Sequence, residues 1–368
     1  MRWFTRILKV LIGIILSLVF FLLLMFRRDI SADEINEKYA TPQSHFIDVD
    51  GIQVHVRFLG EGDPIFLLHG SFSSLHTWDV WQQELSPYFL TISLDFPGHG
   101  LTGPDELKRY SVEDYSHLVQ RLAEKLGLEK YHLAGNSMGG GVALQIASER
   151  PDHVLSLGLI DASGAPPVPV RTLDSAQTSQ RGGGAWIFSL LENPVFSKVF
   201  LKCTPKFLFA MNMKEVYGDE QKVNAATVDR YFELMLRDGN RQATLDRLRQ
   251  GRRKTVDFTR ITMPTLVMWG AKDSWIPLTQ GKRLQEAIPG SNLVVFDEAG
   301  HVPMEEIPTE TVSEYLRFLG VEVRKNYLQP PKQLVYADGI APLSIDFYSA
   351  GHAGFFDLES VWNQKNKF

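Results

Sequence analysis

The sequence predicts an α/β chain, a mostly parallel sheet sandwiched by helices. Three observations predict it. A β-hairpin pattern opens the polar part of the chain. Short apolar runs then alternate with helical stretches. The composition is that of a packed domain, with 44% hydrophobic residues and 38 basic against 43 acidic side chains. A disordered chain carries fewer apolar residues and less balanced charge. A single cysteine, Cys203, excludes a disulfide scaffold. The net charge of −5 lacks the basic excess of a nucleic-acid binder, so no nucleic acid is expected as partner.

The first element is apolar throughout. Val10 to Phe26 reads VLIGIILSLVFFLLLMF with no charge. With Ile7 to Lys9 it makes about 20 residues, or roughly 30 Å of helix, enough to cross a bilayer core. Arg27 and Arg28 close the run, whereas a cleaved signal ends in small residues. Residues 1–28 therefore read as a single-pass transmembrane anchor and the lipid bilayer as a partner. Arg2, Arg6, Lys9 and the terminal amine precede the span; Arg27, Arg28 and Lys38 follow it. The amine tips this near tie, which places the large domain on the non-cytoplasmic side. Residues 29–44 are polar and read as a linker.

The hairpin comes next. His45–Asp50 and Ile52–Gly60 flank Asp50-Gly51, a strong two-residue turn signal. Ile52, Val54, Val56 and Phe58 alternate with polar residues, as in a strand buried on one side. Apolar runs at 64–69, 89–95, 131–136, 154–161, 264–270 and 292–296 read as buried strands. Residues 112–127, 138–149, 279–288 and 309–319 read as the helices between them, and Ser111 with Asp114 makes a capping box for the first. The core thus spans 45–164 and 256–320. Residues 165–255 show helical patterns without a clear strand, too long for a loop, and read as a helical insertion. Residues 321–368 fit no βα unit and receive no role.

Chemistry concentrates in a few places. Gly135-Asn136-Ser137-Met138-Gly139 follows a predicted strand and opens a predicted helix, the context of a G-x-S-x-G nucleophile elbow. The tight turn requires small residues on both sides, which Gly135 and Gly139 supply. A serine hydroxyl needs a base, expected late in the chain in the order Ser…Asp/Glu…His. His301 fits, just after the last strand; His352 is the rival. The orienting acid is Asp273, after the strand PTLVMWG, with Asp161 as the alternative acid. The oxyanion hole needs two backbone N–H groups. Met138 supplies one, and Ser71 the other, with Phe72 as the second candidate. His69 reads as a structural ring holding that loop. No metal-ligand spacing, P-loop or dinucleotide fingerprint occurs, so neither metal nor cofactor is expected.

These motifs carry a resemblance. The loop HGSF (69–72), DFPGHG (95–100), GNSMGG (135–140), WGAKD (269–273) and GHVPMEEIP (300–308) stand in the order found in the α/β-hydrolase superfamily. Over residues 45–320 the chain resembles that superfamily, in its serine esterase and lipase branch. With its anchor it is similar to membrane-anchored monoacylglycerol-lipase-like hydrolases. The resemblance implies an eight-stranded sheet and a helical cap after the sixth strand, at 165–255. It also implies a serine hydrolase cleaving carboxylic esters, small or lipid, through an acyl-enzyme. Two alternatives stand beside it. One is a C–C bond hydrolase of ring-fission products, although Val302-Pro303-Met304 follows His301 where that branch resembles itself in a tryptophan. The other is a non-catalytic binding module, although no triad member is missing. In the cap, the large apolar residues between Trp186 and Phe209 read as its own core or as an acyl-binding wall. Gly182-Gly183-Gly184 reads as a loop or as the hinge of a lid, and the basic residues from Arg247 to Lys254 as a solvated helix face or as a patch for anionic headgroups.

Overall fold

The computed structural model describes residues 2–167, 193–250 and 256–321. Residues 322–368 lie outside them. So do Gly182-Gly183-Gly184, Trp186, Arg252, Arg253, Lys254 and His352.

Eight strands form one sheet: β1 (Ser44–Val49), β2 (Ile52–Leu59), β3 (Pro64–Leu68), β4 (Leu90–Leu94), β5 (Tyr131–Asn136), β6 (Val154–Ile160), β7 (Thr265–Gly270) and β8 (Asn292–Phe296). Their order is β1-β2-β4-β3-β5-β6-β7-β8. β2 pairs antiparallel with β1 and β4, and the other pairs are parallel. The expected hairpin turns at Asp50 and Gly51, both with positive φ. The central strands are apolar on both faces because helices cover both. Phe66 and Leu68 join the core on one side of the sheet; Ile65 and Leu67 join the core on the other.

α4 (Val112–Lys125) and α5 (Met138–Glu149) pack on the first side. The Ser111–Asp114 capping box forms as the sequence predicts. α3 (Asp79–Leu85) and the C-terminal helix Pro308–Phe318 pack on the other, where Trp78, Trp81 and Tyr315 are fully buried. Asp95, just after β4, anchors the DFPGHG loop. It accepts from Leu75 N (2.7 Å), Leu101 N (2.8 Å) and His55 Nδ1 (2.7 Å). Burial pushes this carboxyl up, but the bond to His55 and the nearby imidazoles bring it below the ordinary carboxylate range.

Among the described residues, four α-helices fall in the insertion between β6 and β7: Pro194–Phe200, Lys206–Val216, Ala225–Leu236 and Asn240–Arg249. The stretch predicted as a linker differs from expectation. It contains α2 (Ala32–Tyr39), capped by Ser31, whose side chain accepts from Glu34 N. Its Ile35 is buried against Leu101 and Leu234, a tertiary contact that stabilises a helix too short to stand alone.

α1 runs from Arg2 to Met25, and described apolar side chains such as Ile12, Ile15 and Leu16 are exposed. Some of its side chains lie outside the described residues. Among the described residues, no helix is long and apolar enough to cross a membrane. The chain leaving α1 is joined to the insertion. Arg27 N donates to Lys202 O (2.8 Å), Ile30 N to Leu236 O (2.9 Å), and Asp238 N to Ile30 O (2.8 Å). Arg241, buried, clamps Asp29 through two donors at 2.6 and 3.0 Å.

Candidate active site

Ser137 stands at the carboxyl end of β5, in the turn into α5. Its backbone is held at φ 52°, ψ −116°, a conformation that costs a non-glycine residue on the order of 1–3 kcal/mol. The surroundings hold it there. Ser137 N donates to Ile160 O (3.1 Å), and Ser163 donates to Ser137 O through its N–H (2.9 Å) and Oγ (3.0 Å). The two flanking glycines have steric causes. A Cβ on Gly135 would lie 2.4 Å from Gly139 O, and one on Gly139 would lie 2.1 Å from Leu68 O. The small-residue requirement read from the motif is thus a requirement of backbone approach.

His301 lies in the loop after β8, buried, with Nδ1 2.7 Å from Asp273 Oδ2. A carboxylate only accepts, so Nδ1 carries the proton and Nε2 keeps its lone pair. Asp273 is fixed in turn, its Oδ1 accepting from Trp275 N (2.7 Å) and Ile276 N (2.9 Å). Asp161, the alternative acid, is in the same neighbourhood. Asp161, Asp273 and His301 have atoms within 4.8 Å of one another. They are also the residues that come nearest to a metal-ligand set, but His301 Nδ1 and Asp273 Oδ2 are spent on each other. Ser137 and His301 line one cavity, of about 780 Å³ of empty space including its open mouth. Ser71 and Phe72, the two candidates for the second oxyanion donor, line it too. Phe72 has φ 62°. Met138 is buried at the start of α5.

His69 behaves as the structural ring expected of it. Its Nε2 accepts from Phe96 N (3.0 Å) and its Nδ1 donates to Gly70 O (2.7 Å), while burial lowers its proton affinity.

Several residues escaped sequence reasoning. Asn136 Nδ2 donates to Ile160 O (3.1 Å) and His301 O (3.0 Å), tying the strand before Ser137 to the histidine loop. Glu306 accepts from Gly300 N (2.8 Å), Gly218 N (3.0 Å) and Asp219 N (2.8 Å), so one buried carboxylate joins that loop to the cap. His301 N donates to Val216 O (2.7 Å), a second such link. The Trp275 ring stacks on His301 at 5.7 Å. The available signal was position: Asn136 stands beside Ser137, Glu306 within GHVPMEEIP, and Trp275 two residues after Asp273.

The cap supplies the apolar wall. Phe200, Phe209, Met213 and Met235 line the cavity, with Tyr217 and Tyr231 among them. Burial and nearby Glu305 raise both tyrosines, which therefore stay neutral. Tyr231 donates to Glu305 Oε2, which also accepts from Thr77 Oγ1 (2.9 Å). Arg230 joins this acid at 3.0 Å and Asp79 at 3.5 Å.

Known proteins share this design. Residues 63–308 match the family model described as alpha/beta hydrolase fold. A dihydrolipoyllysine-residue acetyltransferase component of the acetoin cleaving system of Cupriavidus necator is 30% identical over 284 residues, 75% of this chain and 68% of that protein. Lipase 3 of a Moraxella species is 27% identical over 267 residues, 70% of this chain and 77% of the lipase. Among solved structures, a bacterial membrane phospholipase A superposes with a TM-score of 0.62 at 24% identity, over 87% of this chain and 98% of that one. What is shared with that structure is the fold. With its family model covering most of the core and its elbow intact, the chain belongs to the alpha/beta hydrolase fold family, as an enzyme of the serine hydrolase type.

Proposed function

We propose that this protein hydrolyses neutral carboxylic esters, lipid esters such as monoacylglycerols included, from a position at a membrane surface. The observation that carries the reading is the cavity. It joins Ser137 and His301 to an apolar cap wall, and no lysine or arginine is among its described lining residues. A ring-fission product bearing a free carboxylate would find no counter-ion there, which weighs against C–C hydrolysis. An acyl chain needs none.

The chemistry then runs through Ser137, His301 and Asp273. His301 Nε2 takes the Ser137 proton as Oγ attacks the ester carbonyl. The N–H groups of Met138 and Ser71 hold the tetrahedral oxyanion. His301, its charge balanced by Asp273, returns the proton to the leaving alkoxide. Water, deprotonated by the same imidazole, attacks the acyl-enzyme. The acid leaves and Ser137 regains its proton.

Residues 1–28 are the anchor in this reading. Its support is the charge-free run from Val10 to Phe26 and the exposed apolar side chains of α1, which water would not tolerate as a patch. The post-anchor segment bonds to the cap, and cap helix Lys206–Val216 exposes Phe207, Leu208 and Met211. The cap then lies beside the bilayer, with the catalytic domain on its non-cytoplasmic side. The remaining boundaries follow the same reading, with linker 29–44, core 45–164 and 256–320, cap 165–255 and a C-terminal extension 321–368.

A rate panel tests the substrate. Chromogenic esters of 2 to 16 acyl carbons and monoacylglycerols are compared with an anionic ring-fission analogue, and kcat/KM is expected to rise with acyl length. Preference for the anionic analogue would overturn the ester reading. For the anchor, the chain is expected to stay in the pellet after an alkaline carbonate wash. Release of the full chain would remove it. A reporter fused after Phe368 that works only in the cytoplasm would reverse the orientation.

A further inference from the structure

We propose that Asp161 is a positioning residue whose protonated carboxyl donates a hydrogen bond to the Asp273 carboxylate, so that the two acids share one proton and present one negative charge to His301. The proposal rests on the triad reading above.

Asp161 is the first residue after β6. Its φ of 43° is left-handed, a conformation non-glycine residues seldom take. The turn is fixed by Asp161 N donating to Met268 O (3.0 Å). It brings a fully buried carboxyl beneath the loop that carries Asp273. One oxygen is satisfied: Oδ1 accepts from Gly270 N (2.9 Å). The other, Oδ2, meets no donor N–H or O–H among the described residues. Its acidic neighbour is Asp273: side-chain atoms of Asp161, Asp273 and His301 all lie within 4.8 Å of one another.

Two ionised carboxyls cannot share such a site. In a dry interior their repulsion is large, and one proton turns it into a hydrogen bond. The partners decide which acid holds it. Asp273 receives three donors, Trp275 N, Ile276 N and His301 Nδ1, and so keeps the charge. Asp161 receives one backbone N–H and so takes the proton. The titratable groups facing Asp161 are Asp273 after β7 and, from beyond β8, His301 and Glu306. Burial first, then the charge of Asp273, raises the Asp161 carboxyl well above the usual range, and Glu306 adds to the rise. A purely structural Asp161 would only tie β6 to Gly270 N–H, with no proton between the acids.

Two readouts on the full chain in detergent separate these cases. The first needs no turnover. An acid raised in the folded state keeps a proton that the unfolded chain releases above about pH 4. Stability therefore falls as pH rises, until the folded carboxyl ionises too. Relative to Asp161→Asn, the wild-type unfolding constant is expected to climb about tenfold per pH unit above about pH 5 in urea titrations. Parallel curves for the two proteins would overturn the shared proton, whatever the enzyme's activity.

The second readout is the pH profile of kcat/KM. In Asp161→Ala the charge of Asp273 is no longer shared with a donor and holds a proton on His301 more tightly. The acid limb should move up by about one pH unit, and Asp161→Asn, which restores a donor, should bring it back. An acid limb unchanged across all three would overturn the coupling. Should Asp161→Ala fail to fold, the double variant decides. In an Asp273→Asn background Asp161 is the carboxyl left to carry the charge, so adding Asp161→Asn should lower kcat a further tenfold or so. No further loss would contradict the proposal.

Discussion

The sheet edge that holds Ser137 and the helical insertion between β6 and β7 are held by different physics. At the edge, backbone meets backbone. Leu68 O, Gly139 and Gly135 leave no room for a Cβ, and Ser137 keeps a strained turn because its neighbours leave it no other. In the cap, side chains reach across long sequence distances. Arg230 meets Glu305 and Asp79, Arg241 meets Asp29, and Lys38 with Tyr39 meets Glu233. The edge is therefore built to fix reacting atoms, and the cap to set access and apolar surface while hanging on charged links. Damage to the first should abolish turnover of every ester. Damage to the second should act on stability and on long-chain substrates.

His301→Ala is the largest test of the first half. It should lower kcat by roughly 10⁵- to 10⁶-fold on short and long esters alike, measured by steady-state assay. A loss confined to long chains would move His301 into the access machinery. Gly139→Ala comes next. Its Cβ would lie 2.1 Å from Leu68 O with only backbone to yield, so about 4 kcal/mol or more of stability should go, read by denaturant unfolding.

The cap half predicts smaller, selective effects. Arg241→Ala removes a buried guanidinium from Asp29, Thr204 Oγ1 and Arg27 O. Because Asp29 is about one-third exposed, the loss should be about 2 kcal/mol rather than that of a fully buried pair. KM for long-chain esters should rise while kcat on an acetate ester changes less than threefold. An equal fall in kcat on both would erase the distinction between edge and cap. The exposed Lys38–Glu233 pair is the weakest link, and Lys38→Ala should cost about 0.5 kcal/mol, further reduced by salt.

The same divide explains what was readable in the sequence. The strands were legible because each is a short apolar run between turn residues, and NLVVF at 292–296 was placed to the residue. Ser137, His301 and Asp273 could be singled out because the elbow and the strand ends are local patterns; the fold places Ser137 and His301 on one cavity and Asp273 behind the histidine. Asp161 was read as a competitor to Asp273, yet it lies beside that acid, a relation only the pairing of β6 with β7 creates. Asn136, Glu306 and Trp275 carry no local signature, since their partners lie on other elements. α2 was missed because its polar sequence gave no strong period. Its stability comes from Ile35 meeting the cap, although Ser31 before Glu34 was a usable capping signal.

The central claim is that Ser137 is the nucleophile that the elbow strains into place. Labelling the full-length protein with a fluorophosphonate probe, beside Ser137→Ala, tests it most directly. The wild type should take up one probe per chain and lose esterase activity in step, while Ser137→Ala takes up none. A wild type that does not label, or a Ser137→Ala protein that labels equally, would contradict it.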